Sequence, residues 1–578
     1  MSVMRLQTSI VIGALTLCSA LACGQPSATE LPRYDLTVRL KPTAPCVAGE
    51  AIVTVPAPDT GHVSFVLAEM FNVESVDLRV NNEFRRSRTD TAYLQGLRRE
   101  WGYVRWRLLD DDLSRGASRR PLTFRVRYRL DTAATSMVFG IDDAVTFASG
   151  INTSWYPQIE DGRSLSAGRV RVQRGTGTVR FEAPEGTIVH AIGAPKVGNG
   201  GGRYVFDVNV PAYFNFAAGR FHVREQRPER GEPPALTYYL TPRDSAGTYA
   251  RKSLDVLRAL SAEFGPYPFD RFAIIEIPTD LAQRAGFAGA SVDGGILSTS
   301  EYLERPFNSA YYGHEIGHQW WGVAIRPTGA RGAWMLQEGM AQYGGLRAVE
   351  VLDGPQAAHG FRRREYPDYF GQGGELYFRT VSGGHDAPLA DLPLSEAWAR
   401  DIVDSKGFMV MNALSDEIGR ERLRTAFREI LREFGPRRLL WDDFVAEVTK
   451  AAGRDLSWFF DQWFHRTGAP EITADLDKSA GQARVRQLGE LYRLTLDLAF
   501  RGPGCSARTR ITVASPVERV PFPSGCQPDS VVVDPDYHVI RWTPELRERY
   551  KREGKGLSFL SNDMARHAHV ALMKLAPR

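Results

Sequence analysis

The chain has 578 residues, 43% of them hydrophobic and 24% charged, with a formal net charge of +4 at pH 7. That length exceeds what one hydrophobic core organises, so the chain divides into several domains. A charge so near balance, with no long basic run, gives no footprint for nucleic acid, and past the N-terminus no run of about 20 apolar residues is long enough to span a bilayer.

The opening stretch, "MSVMRLQTSIVIGALTLCSALAC", starts with Arg5, runs through a short apolar core and closes on Ala20, Leu21 and Ala22. This is the layout of a secretory signal peptide, residues 1–22, cleaved after Ala22, and it predicts an exported protein: periplasmic, secreted or held at the cell envelope. Cleavage makes Cys23 the first residue, where a lipid anchor and plain secretion are both open readings. Cys505 and Cys526 flank one hairpin region and are expected to form a disulfide in an oxidising compartment. Cys46 can pair with Cys23 only if Cys23 carries no lipid.

Residues 23–232 read as an N-terminal β domain. Stretches such as "YDLTVRL", "AIVTV", "LTFRVRYRL" and "YVFDVNV" alternate apolar and polar residues and are separated by Gly, Pro and Asp, the pattern of an antiparallel saddle or sandwich. "RPERGEPP" is polar and rich in Pro and Gly, which suits a boundary loop. In residues 233–470 helical patterns dominate after one strand pair, "LTYYL" and "FAIIEIP". "WDDFVAEVTKAAG" shows the signals, with Asp442 and Asp443 in the first turn, Lys450 in the last and Gly453 just beyond. Strands return in 471–544, from "ARVRQLG" to "SVVVDPDYHVIRW", as a small C-terminal β-sandwich. The basic tail, 545–578, is predicted to be helical or disordered, with His567 and His569 facing solvent.

One stretch carries chemistry. "NSAYYGHEIGHQWW" reads as a helix in spite of Gly313 and Gly317, so His314 and His318 project from one face a turn apart. Two imidazoles so placed can bind one Zn²⁺, with Glu315 beside the first as a general base. A catalytic zinc site needs a third protein ligand. "GAWMLQEGMAQY" offers Glu338, whose neighbour Gln337 is a poor zinc ligand because its amide is neutral; Glu350 and Asp353 lie farther along.

"HEIGHQWWG" followed by "EGMAQY" resembles the membrane alanyl aminopeptidase family, zinc peptidases of the thermolysin-like gluzincin group. "FGPYPFDRFAIIEIP", "SKGFMVMNAL" and "WFFDQWFHRTGAP" resemble family landmarks in the same order, so the likeness covers roughly residues 30–545. It implies a multidomain α+β fold: an N-terminal antiparallel β saddle, a thermolysin-like zinc catalytic domain and a small C-terminal β-sandwich, without the long helical domain of many members. It also implies one zinc per chain held by His314, His318 and Glu338, a peptide substrate, and Glu315 as the base that takes a proton from the attacking water.

Three departures stand beside the resemblance. The interval between His318 and Glu338 is one residue longer than the family's usual one. The family's exopeptidase motif, Gly-x-Met-Glu-Asn, corresponds to "GASVD" from Gly289, so the glutamate that grips the substrate's amino group falls on Val292. Asp293, one residue along, is the candidate replacement, although it also suits the turn before Gly294, while the backbone of Gly289 and Ala290 can pair with a peptide by strand addition. The family's oxyanion-stabilising tyrosine falls on Asp404, a carboxylate that repels an oxyanion unless protonated. Tyr366, Tyr369, Tyr377 and His385 are the upstream alternatives. Two readings follow: an exported zinc metallopeptidase, aminopeptidase-like by family but with an atypical amine anchor, and a catalytically impaired zinc-binding relative that acts as a peptide or envelope binding protein.

Overall fold

The computed structural model describes residues 31–41, 46–56, 63–95, 102–109, 121–161, 172–196, 198, 200–228, 232–363, 373–393, 395–435 and 438–553. The signal segment, Cys23, Tyr366, Tyr369 and the tail from 554 with His567 and His569 lie outside the described residues.

Alternation builds the N-terminal part. In Leu122–Leu130, Phe124, Val126, Tyr128 and Leu130 point inward while Arg125, Arg127 and Arg129 point out, as period-two side-chain direction requires. The outward arginines pair across the strands with Asp77, Glu50 and Glu74. Among the described residues this region holds an eight-stranded sheet, a five-stranded sheet and a four-stranded sheet. Most neighbouring strands are antiparallel; Arg33–Leu40 runs parallel to Gly175–Glu182. Their inner faces share one core that includes Trp155, Tyr156, Phe181 and Phe214.

The second region opens with a mixed five-stranded sheet in the order His222–Gln226, Ala235–Tyr239, Phe272–Ile277, Gly295–Thr299, Gly289–Val292. Its three central strands are parallel and fully buried apolar runs such as "FAIIEI", the signature of strands covered on both faces. The helix Ala246–Phe264 is the crossover between the first two of them. The short strand Gly289–Val292 closes the sheet as an antiparallel edge. Helices follow, among them Trp441–Ala452, which ends at Gly453 in the left-handed region, φ 67°, the usual C-terminal stop.

Two three-stranded sheets form the C-terminal part, and their apolar residues, Leu494, Leu498 and Trp542 among them, join the core of the helical region. The architecture is α+β throughout, as expected, with no closed barrel among the described residues. Cys505 and Cys526 form a disulfide, and Cys46 is buried and unbonded. One local expectation fails: "SVVVDPDYHVIRW" is strand only over Ser530–Val533. Asp534 turns the chain there, accepting hydrogen bonds from the backbone N–H groups of His538 and Val539 and from Arg541. No helix among the described residues is long and apolar enough to cross a membrane.

Candidate metal centre

Asn308 begins the first ligand helix, Ser309–Gly317, by accepting the backbone N–H of Tyr311, an N-cap that fixes where the first turn starts. The two glycines inside it have a packing role. A Cβ on Gly313 would sit 2.5 Å from the Ala348 Cβ, and one on Gly317 would sit 3.0 Å from the Ala341 carbonyl oxygen. Only hydrogen at these positions lets the helix lie directly against the second ligand helix, Met340–Leu352. That helix is entered through a π turn, Met335–Gly339, which carries Glu338. A π turn holds one residue more than an α turn, so the longer His318–Glu338 interval has a place within the helix as well as in the Gly-rich stretch "RPTGARGA" that joins the two.

This packing brings His314, His318 and Glu338 together, all buried. The two Nε2 atoms are 3.1 Å apart, and Glu338 Oε2 lies 3.6 Å from His314 Nε2 and 3.5 Å from His318 Nε2. Ligands about 2.0–2.2 Å from a tetrahedral metal stand about 3.3–3.6 Å from one another, so the spacing suits one zinc ion. The hydrogen bonds agree. His318 Nδ1 donates to the Trp321 carbonyl at 3.0 Å, and His314 Nδ1 faces Gln342 Oε1 at 2.7 Å, which turns both Nε2 atoms toward the same point. Glu338 Oε2 is buried, with a terminal nitrogen of Arg400 3.0 Å away. Three buried ligand-type atoms within reach of one another favour positive charge between them, which suits a metal ion.

Electrostatics set the site apart from an ordinary polar cluster. Burial, with His318 adding, pushes the His314 imidazole down to about 3. Burial also acts to lower His318, but the Glu338 carboxylate overrides it and lifts that imidazole to about 9. Burial opposes ionisation of Glu338, yet Arg400 and then His318 hold its carboxyl well below the usual range. Glu315 is half-buried beside the ligands; burial raises its carboxyl, against a pull from His318 and Ser291.

Residues 308–463 match the peptidase family M1 domain, and the ligands and Glu315 all fall within that span. That stretch is a peptidase family M1 domain. The match agrees with the resemblance drawn from "HEIGHQWWG" and "EGMAQY". Among curated proteins, the chain is 22% identical over 226 residues to probable aminopeptidase 1 of Sulfurisphaera tokodaii, covering 37% of this chain and 27% of that protein. It is also 22% identical over 264 residues to endoplasmic reticulum aminopeptidase 2 of Homo sapiens, covering 42% of this chain and 25% of the human protein. The chain thus spans about a quarter of the length of these relatives. Its fold is similar to that of a mutant M1 zinc metallopeptidase from Deinococcus radiodurans, with TM-score 0.54, 16% identity, and coverage of 75% of this chain and 94% of that one.

Around His314, His318 and Glu338, the structure sorts the remaining sequence-derived residues. Gly289 lies at the centre, where an added Cβ would be 3.3 Å from Glu315 Oε1 and would collide with the Tyr311 hydroxyl. Ala290 and Val292 face the other way, into the apolar cluster with Leu297 and Ala282. Asp293 does not reach the ligands. Its fully buried carboxylate accepts the backbone N–H of Tyr213 at 3.2 Å, and its own carbonyl accepts from Asn215 at 2.8 Å. The strand ends at Val292, and the turn through Gly294, φ 75°, swings residue 293 toward the N-terminal sheets. Tyr377 donates to Asp386 at 2.7 Å, and His385 stacks on Trp398.

Three residues escaped the sequence reading. Ser291 Oγ donates to Glu315 Oε2 at 2.8 Å, and strand alternation from Gly289 was the signal for it. Gln319, next to His318, donates from Nε2 to the carbonyls of Val292 and Gly295 and accepts from the Gly294 N–H, each at 3.0 Å. It clamps the edge strand to the end of the first ligand helix. Arg400 reaches Glu338 Oε2 at 3.0 Å while its Nε donates to Asp404 Oδ2 at 3.1 Å. Its i, i+4 spacing from Asp404 on a helix was the signal.

Proposed function

We propose that this chain is an exported zinc-dependent metallopeptidase that hydrolyses peptide bonds, aminopeptidase-like by its domain but with an atypical amine-anchor position. The observation that carries this reading is the convergence of His314, His318 and Glu338 on one point, with Glu315 half-exposed beside them. Zn²⁺ held by these three residues supplies Lewis-acid polarisation of a carbonyl and a nucleophilic water near neutral pH.

The chain's own groups supply the rest. Gly289–Val292 pairs on one side with Gly295–Thr299 and is the edge of its sheet. A substrate adds there as a further strand, with Gly289 and Ala290 offering backbone groups. Glu315, steadied by Ser291, takes a proton from the attacking water and returns it to the leaving amine. At the amine-anchor position the side chain is the buried isopropyl group of Val292, which cannot pair with an ammonium ion. Specificity therefore rests on something other than a carboxylate at residue 292. Export is supported by the layout of residues 1–22 and by the Cys505–Cys526 disulfide, and mass spectrometry of the mature N-terminus tests it and reads any lipid on Cys23.

The second reading, a zinc-binding relative with impaired catalysis that holds peptides or envelope partners, draws on Val292 and on Asp404 in the place of the expected hydroxyl donor. One experiment separates the two. Zinc-loaded protein is assayed against matched peptides with free and N-acetylated termini, with and without a chelator. Chelator-sensitive cleavage that is lost in Glu315→Ala while zinc is retained supports the enzyme; no turnover across a broad peptide library supports the binding protein. Equal cleavage of free and acetylated peptides removes the aminopeptidase label and leaves the metallopeptidase.

A further inference from the structure

Peptide hydrolysis pushes an electron pair onto the carbonyl oxygen, and a positioned hydrogen-bond donor at that oxygen is among the largest contributions a protein makes. We propose that Arg400 is a catalytic residue that donates to this oxygen as negative charge develops on it. The proposal rests on the metallopeptidase reading above.

Arg400 lies on the helix Ala397–Ile402, immediately before a second π turn, Val403–Gly407. The two π turns touch: a Cβ on Gly407 would sit 3.4 Å from Gly339 Cα and 3.1 Å from Met335 Sδ. The guanidinium is thereby delivered to the metal ligand from the opposite wall, with a terminal nitrogen 3.0 Å from Glu338 Oε2. Asp404, one turn along and fully buried, fixes it from behind by accepting from Nε. Two contacts at different edges of a planar, rigid group set both its position and its plane. The Arg400 side chain is 16% exposed, so it is not sealed in the core. Its charge also bears on His314, Glu315 and Glu338.

Among the described residues, the Tyr377 hydroxyl is committed to Asp386, and His385 stacks on Trp398. Asp404 then has a role that suits a carboxylate: it offsets the charge of Arg400 and aims it, and it never meets the oxyanion itself. In the step, water oxygen bonds to the carbonyl carbon and its proton goes to Glu315. The carbonyl pair moves to oxygen, where Arg400 donates a hydrogen bond without giving up a proton. Collapse breaks the C–N bond, and the Glu315 proton leaves with the amine.

The test compares binding of a phosphinic peptide, whose tetrahedral anion mimics the intermediate, with binding of the matching uncleaved substrate to the Glu315→Gln background, by calorimetry on zinc-loaded protein. In Arg400→Ala we expect the phosphinic peptide to lose about 100-fold or more in affinity, the substrate peptide to change less than about threefold, and zinc to stay near one per chain. Arg400→Lys, which keeps the charge and the fold but loses the planar fork, is expected to lose about tenfold. Equal loss for both peptides, loss for neither, or loss of zinc from both variants overturns the assignment and makes Arg400 a support for Glu338. Wild-type protein that holds zinc and binds no phosphinic peptide overturns the metallopeptidase reading instead, and the assignment with it.

Discussion

Ser291 Oγ donates a 2.8 Å hydrogen bond to Glu315 Oε2, which ties the edge strand of the catalytic sheet to the carboxylate beside the metal ligands. The same strand is where a peptide would add, so substrate and base share one anchor. A hydrogen bond to a charged group contributes about 1.5–3 kcal/mol. Ser291→Ala is therefore expected to lower kcat/KM by about tenfold or more, with zinc content unchanged. Glu315→Gln is expected to lose about 10²–10⁴-fold. A Ser291→Ala enzyme as active as wild type would detach Ser291 from the base.

Gly313 and Gly247 make a paired prediction, because the same substitution should act in opposite directions. A methyl on Gly313 meets Ala348 at 2.5 Å, whereas one on Gly247, in the first turn of Ala246–Phe264, meets nothing within 4 Å. Overpacking typically costs about 1–3 kcal/mol, so Gly313→Ala should lower the denaturation midpoint and, by spreading the ligand helices, weaken zinc binding. Gly247→Ala should raise the midpoint, through a stability gain of up to about 1 kcal/mol from the helix preference for alanine. Denaturant titrations with metal analysis check both.

Metal removal should destabilise the M1 domain. A ligand that binds only the folded state adds about 4 kcal/mol at a thousandfold excess over its Kd. Chelation is expected to lower the melting temperature reversibly, and His314→Ala to begin at the lowered value and ignore added zinc. Scanning calorimetry at fixed free zinc measures it, and a chelated protein with an unchanged transition would contradict the ligand assignment.

Asp293 gives a pH dependence with a definite sign. Burial pushes its carboxyl up to about 6, against a smaller pull from Arg174. The unfolded carboxyl titrates near the usual value of about 4, so folding favours the protonated form. Its stabilising contribution is complete below about pH 4 and is lost as pH rises through about 6, a change on the order of 3 kcal/mol. Asp293→Asn keeps an oxygen for the Tyr213 N–H but cannot ionise. The stability of wild type minus variant should fall between about pH 4 and 6 and then level off; urea midpoints across that range measure it, and a flat difference would remove Asp293 as the titrating group.

Much of this was legible along the chain because it depends on periodicity. Alternation in "LTFRVRYRL" and the i, i+4 histidines of "HEIGH" follow from strand and helix geometry alone. Local signals were less secure where side chains compete with them: the strand expected through "SVVVDPDYHVIRW" stops at Val533 because the Asp534 carboxylate captures the backbone N–H groups of His538 and Val539. Asp293 misled for a similar reason, since one residue of turn decided which domain its carboxylate faces.

By itself, then, the sequence determined which residue types are available as ligands and base and the order of α and β elements, because these are matters of residue chemistry and local repeat. The tertiary structure alone decided that Ser291 meets Glu315, that Gln319 clamps the edge strand, and that Arg400 reaches Glu338 with Asp404 behind it. Those contacts join segments 24 to 62 residues apart or depend on how two π turns pack, and no local periodicity encodes the approach of one element to another.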